Sequence, residues 1–140
     1  MKTSSLLQQA PKSPADIRNE WVRSVEALAN QVLEWVRLKP GWQADSENKD
    51  ISEEPLGTYS IPIVTIHTPN GRLVLEPIAR NFPGRGIVEF YAWPTLFRVR
   101  LLRGEEDADW QVRVDSGFIL HEEWNRDNFV RLAGDLLNAS

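Results

Sequence analysis

The chain has 140 residues, of which 41% are hydrophobic and 26% are charged. This length and balance are typical of one folded domain and exclude a disordered polypeptide. The sequence has no cysteine, which excludes a disulfide scaffold, a thiolate metal site and a cysteine nucleophile. It also lacks the apolar run of a membrane span or a signal peptide, so we expect a soluble, cytoplasmic protein.

The formal net charge of −4 is unevenly distributed along the chain. Residues 43–54 carry five acidic side chains and one lysine, and residues 104–109 carry four acidic side chains and no base. The rest of the chain therefore has an excess of positive charge. An acidic chain argues against nucleic acid as a partner, because contacts to phosphate need a basic surface, but one face could still be cationic.

The N-terminal part predicts a flexible tail followed by a long helix. Residues 1–12 are polar and show no periodicity, and we expect a single domain over residues 13–140. Ser13 followed by Pro14 is typical of a helix start. Apolar residues then recur three and four positions apart, which predicts a first helix at about residues 14–38.

Two further segments frame the middle of the chain. Residues 40–57 are acidic and contain two prolines and two glycines, so we interpret them as a long loop, either mobile or functional. Near the C-terminus, Asn125 is a good helix N-cap, and Trp124 before it can pack on Phe129 as a hydrophobic staple. A second amphipathic helix is therefore predicted from about residue 125.

Between the helices the apolar period changes to two, which is typical of strands. The predicted strands lie at 58–67, 72–79, 86–93, 95–103 and 110–114, with a possible short one at 118–121. Turns at Pro83–Gly86 and Asp115–Gly117 would connect some of them. An Asn70-Gly71 turn would pair Ile66 with Leu75. The expected fold is α+β: a five- to six-stranded antiparallel sheet with an N-terminal and a C-terminal helix packed on one face.

No motif predicts catalysis, metal binding or phosphate binding. His67 and His121 lie on separate elements, so their spacing predicts no metal site. Ser116 lies in a turn without the flanking pattern of a serine nucleophile, and Pro83–Gly86 lacks the lysine and following helix of a phosphate loop. The acidic clusters are typical of solvated loops. We therefore expect no enzymatic activity, no cofactor and no metal.

The solvent-exposed face of the sheet carries the candidate binding residues. Residues two apart in a strand share a face, and large aromatic residues and arginine are enriched in binding hot spots. The five residues that this face would present are Tyr91, Trp93, Arg98, Arg100 and Arg113. In the competing interpretation, Arg98 and Arg100 pair with Glu89 and cover the aromatic rings with their aliphatic stems.

The sequence thus favours a non-enzymatic interaction domain, acting as an adaptor, chaperone-like or regulatory protein. Its partner would be an acidic segment of another protein, or a second copy of the chain. Two alternatives remain open. A nucleic-acid-binding module would use the same face for base stacking and phosphate contacts. A small-molecule-binding domain would have a pocket between helices and sheet, lined by Trp21, Trp35 or Trp42.

Overall fold

The computed structural model describes residues 12–81, 86–104, 110–115 and 119–138. In chain order the elements are α1 (Pro14–Arg37), β1 (Gln43–Glu53), β2 (Gly57–Thr68), β3 (Gly71–Ala79), β4 (Ile87–Trp93), β5 (Val99–Arg103), β6 (Trp110–Asp115), β7 (Ile119–Glu123) and α2 (Arg126–Asn138). Each strand pairs antiparallel with its chain neighbour, which gives one sheet in the order β1 to β7. The α+β class is confirmed, with seven strands rather than five or six.

Several predicted segments lie outside the described residues. These are residues 1–11 of the tail, residues 82–85 of the Pro83–Gly86 turn, residues 105–109 of the acidic loop and residues 116–118 of the last turn.

The prediction of a loop over residues 40–57 is wrong. Most of that segment is the edge strand β1, which pairs with β2 along its whole length, from Gln43 opposite His67 to Glu53 opposite Gly57. The pairing uses backbone N–H and C=O groups, so it needs no apolar side chains. A polar strand of this kind gives little periodic signal in the sequence, and β1 is therefore the element that raises the strand number.

The β2–β3 hairpin has a different register from the predicted one. Thr68 pairs with Gly71, so Pro69 and Asn70 form the turn, and Ile66 lies opposite Leu73 rather than Leu75. The pairing is thus shifted by two residues. Because side chains alternate with a period of two, this shift leaves the same residues on the buried face.

The strand predicted at residues 95–103 is shorter than expected. β5 begins at Val99, and residues 94–98 form a connection after Pro94. Proline cannot donate a ladder hydrogen bond and ends the regular pairing. In a strand over residues 95–103, Phe97 would share the buried face with Val99 and Leu101. It lies outside β5 instead and is 40% exposed.

Both helices pack on one face of the sheet, as predicted. α1 lies over β1 and β2, and α2 lies over β3 and β4. One hydrophobic core joins them, and its largest fully buried side chains include Trp21, Leu28, Ile61, Ile66, Leu73, Phe90, Leu101, Phe129 and Leu136. The opposite face of the sheet, called the outer face below, is not covered by either helix.

The predicted helix starts are also confirmed. Ser13 Oγ accepts a hydrogen bond from the backbone N–H of Asp16 at 3.1 Å. Asn125 Oδ1 accepts one from the backbone N–H of Asn128 at 2.8 Å. The Trp124 and Phe129 rings lie 5.7 Å apart, as the hydrophobic staple requires. These contacts satisfy backbone donors that a helix leaves unpaired at its start.

Trp21 anchors α1 to the sheet. Its side chain is completely buried, and its indole N–H donates a hydrogen bond to the hydroxyl of Tyr59 at 3.0 Å. The ring also lies against Gly86, whose φ of +129° is a conformation that side chains rarely adopt. A Cβ atom at Gly86 would lie only 2.3 Å from Trp21 Cζ3. Gly86 is therefore required both by the backbone and by the close approach of the indole.

We expect Gly86→Ala to reduce the free energy of unfolding by about 3 kcal/mol, because it combines backbone strain with overpacking against Trp21. Gly134→Ala is the matched control, since nothing outside the local backbone of α2 lies within 4 Å of an added Cβ. That change should stabilise α2 by about 1 kcal/mol. Urea unfolding of both variants checks the prediction, and equal effects from the two substitutions would contradict it.

Candidate functional site

The outer face carries a row of ionisable side chains that crosses five strands. The cross-strand register aligns one residue from each of β3 to β7: Glu76, Glu89, Arg100, Arg113 and His121. Directly opposed side chains interact, and like charges in such pairs are unfavourable. In this row Glu76 lies opposite Glu89, and Arg100 lies opposite Arg113. Other side chains nearby must therefore compensate these like charges.

Lys49 and Tyr91 balance Glu76. Lys49 Nζ and Tyr91 Oη donate hydrogen bonds to the Glu76 carboxylate at 2.8 and 2.7 Å. Burial alone would raise the pKa of Glu76, but these two hydrogen bonds and the positive charges of Lys49 and Arg98 together outweigh it and hold the pKa below its usual value. Burial and the neighbouring Glu76 carboxylate in turn raise the pKa of Tyr91. The cluster thus keeps Glu76 ionised and Tyr91 neutral near neutral pH.

Arg98 covers Tyr91. The guanidinium carbon lies 3.5 Å from the centre of the phenol ring, within cation–π range, and only 5% of Tyr91 is exposed. Of the five predicted binding residues, Tyr91 therefore lies beneath the surface and supports Arg98 from below. It is not itself available to a partner.

Glu89 lies between two arginines, as the competing interpretation predicted. The Nε atoms of Arg98 and Arg100 lie 3.9 and 4.0 Å from its carboxylate oxygens. These separations allow electrostatic attraction but exceed the length of a hydrogen bond. Glu89 thus offsets part of the arginine charge without fixing the guanidinium groups by short contacts.

The cationic part of the face is completed by Arg113, which lies opposite Arg100 on the neighbouring strand. The structure therefore brings together Arg98, Arg100 and Arg113, as the sequence predicted. The charged side chains identified on this part of the face are the cations Lys49, Arg98, Arg100 and Arg113 and the anions Glu76 and Glu89. Among these six side chains four are cations and two are anions, and the three arginines lie on or next to β5 and β6. Arg100 and Arg113 also make contacts beyond those named here.

An exposed apolar cluster precedes Arg98 in the chain. It consists of Trp93 at the end of β4, and Leu96 and Phe97 in the connection to β5. Their exposed fractions are 55%, 88% and 40%. Single exposed apolar residues are common on protein surfaces, but several large ones within five positions are a feature of interaction sites. Sequence analysis identified Trp93 and missed Leu96 and Phe97.

The apolar surface continues from Phe97 into an open cleft between α2 and the sheet. The cleft has a volume of about 230 Å³, and its apolar walls include Val99, Val114, Leu132 and Leu136. Arg131, Glu122 and Asp135 line its rim. It is large enough for one aliphatic or aromatic side chain, but too small to enclose a drug-sized ligand.

Among the remaining predicted candidates, Trp42 lines a cleft between α1 and the start of β1, whereas His67, Trp21 and Trp35 do not form a site. His67 lies 3.3 Å from Asp45 on the neighbouring strand, and the described residues contain no group of three or more metal-binding side chains. Trp21 is fully buried, and Trp35 packs on Trp124 and Phe129. These two tryptophans therefore belong to the core.

Comparison with protein-family models, with curated proteins and with solved structures gives no match for this chain. Within the described part of the chain, neither helix has an apolar stretch long enough to cross a lipid bilayer.

The Glu76 cluster predicts a specific pH dependence. Because the folded-state pKa of Glu76 is lowered, its ionised form stabilises the fold above the usual pKa, and this contribution is lost as the pH falls through the folded-state value. Glu76→Gln should therefore lower the free energy of unfolding by about 1 kcal/mol at pH 7. The variant should also lose less stability than the wild type when the pH is lowered. Urea unfolding between pH 7 and pH 3 measures both effects.

Glu47→Gln is the control for this experiment. Glu47 is an exposed glutamate of β1 that makes no hydrogen bond or ion pair within the described residues. Its removal should change neither the stability at pH 7 nor the acid dependence. A Glu76→Gln protein with the same pH profile as wild type would show that the cluster does not contribute to stability.

Proposed function

We propose that this domain is a non-enzymatic protein-interaction module. Its binding surface is the corner of the sheet where Trp93, Leu96 and Phe97 stand beside Arg98, Arg100 and Arg113, called the corner surface below. The observation that carries the proposal is the exposure of these three large apolar side chains next to a cationic face. Aromatic residues and arginine are the residue types most enriched at the centre of protein interfaces.

The chemistry of the corner surface specifies the partner. Arginine guanidinium groups bind carboxylates through paired, charge-assisted hydrogen bonds, and three arginines lie together on this part of the face. The apolar cluster suits one aliphatic or aromatic side chain, and the cleft beside Phe97 offers room for it on the helix side of the sheet. The expected partner is therefore an acidic segment of another protein that carries at least one large apolar residue.

Preorganisation also supports the arginine part of the surface. Arg98 rests on the buried ring of Tyr91, whose hydroxyl is held by Glu76, and Glu76 is held by Lys49. A side chain that is ordered before binding loses less conformational freedom when the partner arrives. Tyr91 and Glu76 would thus act as positioning residues for Arg98.

The proposal predicts the outcome of an affinity capture from cell lysate, followed by measurement of each captured protein in purified form. Leu96→Ser and Arg100→Glu should each weaken binding by at least about tenfold, as expected for residues at the centre of an interface. Leu96 is 88% exposed, so its replacement should leave the stability of the domain nearly unchanged. Isothermal titration calorimetry gives the affinities.

Arg23→Glu is the matched control, because Arg23 is an exposed arginine on α1, on the other side of the sheet. It should bind the partner like the wild type. The proposal is wrong if no captured protein depends on both Leu96 and Arg100. Capture of nucleic acid with a steep salt dependence would favour the alternative module instead, and a concentration-dependent mass in ultracentrifugation that Leu96→Ser abolishes would identify self-association.

A further inference from the structure

A second surface lies at the opposite edge of the sheet, where β1 meets α1. β1 pairs with β2 on one side only, so alternate residues of its other side present backbone N–H and C=O groups without a strand partner. The strand is long, with 11 residues, and no proline interrupts it. Such an edge can accept an additional strand.

The side of β1 that faces α1 is unusually open. Ala44 and Ser46 lie opposite Ile66 and Val64, which are fully buried core residues, so they point toward the helix layer. Ser46 and Asn48 are nevertheless exposed. Their small side chains do not fill the space between the edge strand and the helix.

Two adjoining clefts occupy this space. One is lined by Ala29 and Asn30 of α1 and by Ser46 and Asn48 of β1, with a volume of about 400 Å³. The other is lined by Leu33 and Val36 of α1 and by Trp42 and Ala44, with a volume of about 610 Å³.

The two clefts form one groove along the helix and the strand. From the first cleft to the second, the lining residues of α1 increase in number and those of β1 decrease. The helix and the strand therefore run in opposite directions along the same line. The lining residues run from Glu26 to Arg37 on the helix and from Gln43 to Asn48 on the strand. Each run is about 17 Å long, at 1.5 Å per helix residue and 3.4 Å per strand residue. The groove between them, called the edge groove below, therefore matches an extended segment of about five residues. Its apolar end lies at Leu33 and Trp42.

Acidic side chains lie on both sides of the β1 edge. Glu26 lines the first cleft from α1, whereas Asp45 and Glu47 alternate with Ala44 and Ser46 and are exposed on the outer face of β1. Arg37, which lines the second cleft, pairs with Glu34. Lys49, the basic residue of β1, is held by Glu76 at 2.8 Å. Within the described residues neither Glu26 nor Glu47 makes a hydrogen bond or an ion pair. Both carboxylates are therefore available to a cationic ligand.

We propose that the edge groove binds an extended, basic segment of a partner protein by strand addition to β1. The backbone of the segment would pair with the open edge. Its lysine or arginine side chains would contact Glu26 and Glu47, and one apolar side chain would enter the cleft at Leu33 and Trp42. A second copy of β1 fits this site poorly, because the strand carries four acidic residues and one lysine, and like charges would face each other.

A random dodecapeptide library displayed on phage tests the proposal with the full-length protein. The selected peptides should be rich in basic residues and should carry at least one large apolar residue. Bound to the ¹⁵N-labelled protein, they should protect every second backbone N–H of β1 from exchange with solvent, because only alternate amides face the open edge. Protection of alternate amides separates strand addition from docking through side chains alone.

Three variants locate the site. Glu26→Lys combined with Glu47→Lys should weaken peptide binding at least about tenfold through charge repulsion. Ser46→Leu should fill the groove and weaken binding similarly without loss of thermal stability. Glu123→Lys is the control, since Glu123 is an exposed glutamate on the opposite edge strand, β7, and it should bind like the wild type.

The outcomes separate this surface from the corner surface. Leu96→Ser should leave peptide binding unchanged, because Leu96 lies in the connection between β4 and β5. The proposal is overturned if no peptide is enriched, if the enriched peptides are acidic, or if the double lysine variant binds them normally. Pairing of β1 with a second copy, seen as a dimer that excludes the peptide, would also overturn it.

Discussion

The contact between Trp21 and the sheet determines where α1 can lie, and much of the remaining structure depends on it. The indole N–H donates to Tyr59, and Tyr59 donates to Glu53, which also accepts the backbone N–H groups of Arg80 and Asn81. One helix side chain is thereby linked to β1, β2 and the end of β3. With its first half fixed in this way, α1 extends along the β1–β2 side of the sheet, and α2 covers the middle strands. The outer face remains without a helix.

Much of the fold could be predicted from the sequence because its signals are periodic. The α1 stripe and its Ser13 cap identified the helix, and the hairpin kept its buried face even though its register was shifted by two residues. β1 could not be identified in this way, because its stability comes from backbone pairing with β2 and its side chains are mostly polar. The length of the supposed loop was the only signal, since structureless connections of that size are uncommon in compact domains.

The candidate sites were predicted less completely, for the same physical reasons. Strand alternation correctly placed Tyr91 and Arg98 on one face and made Glu89 a partner of the arginines. The hydroxyl of Tyr91 is held by Glu76, which also accepts from Lys49. Lys49 was assigned to a loop and could not be expected to reach β3. The apolar cluster is exposed because β5 begins only at Val99. The alternation of apolar and polar residues does not show where a strand begins after a proline.

The two proposed surfaces differ in the sign of their charge, and the antiparallel order of the strands keeps them apart. β1 and β5 are separated by four strand spacings, about 19 Å, so a segment bound at one edge would not touch a segment bound at the corner. The acidic residues of β1 have two consequences under this arrangement. They oppose pairing between copies of the chain, which is the usual hazard of an open edge, and they favour a basic strand over an acidic one. The segment that the corner surface is expected to bind is therefore repelled from the edge groove, and a single domain could hold two partners of opposite charge without exchanging them.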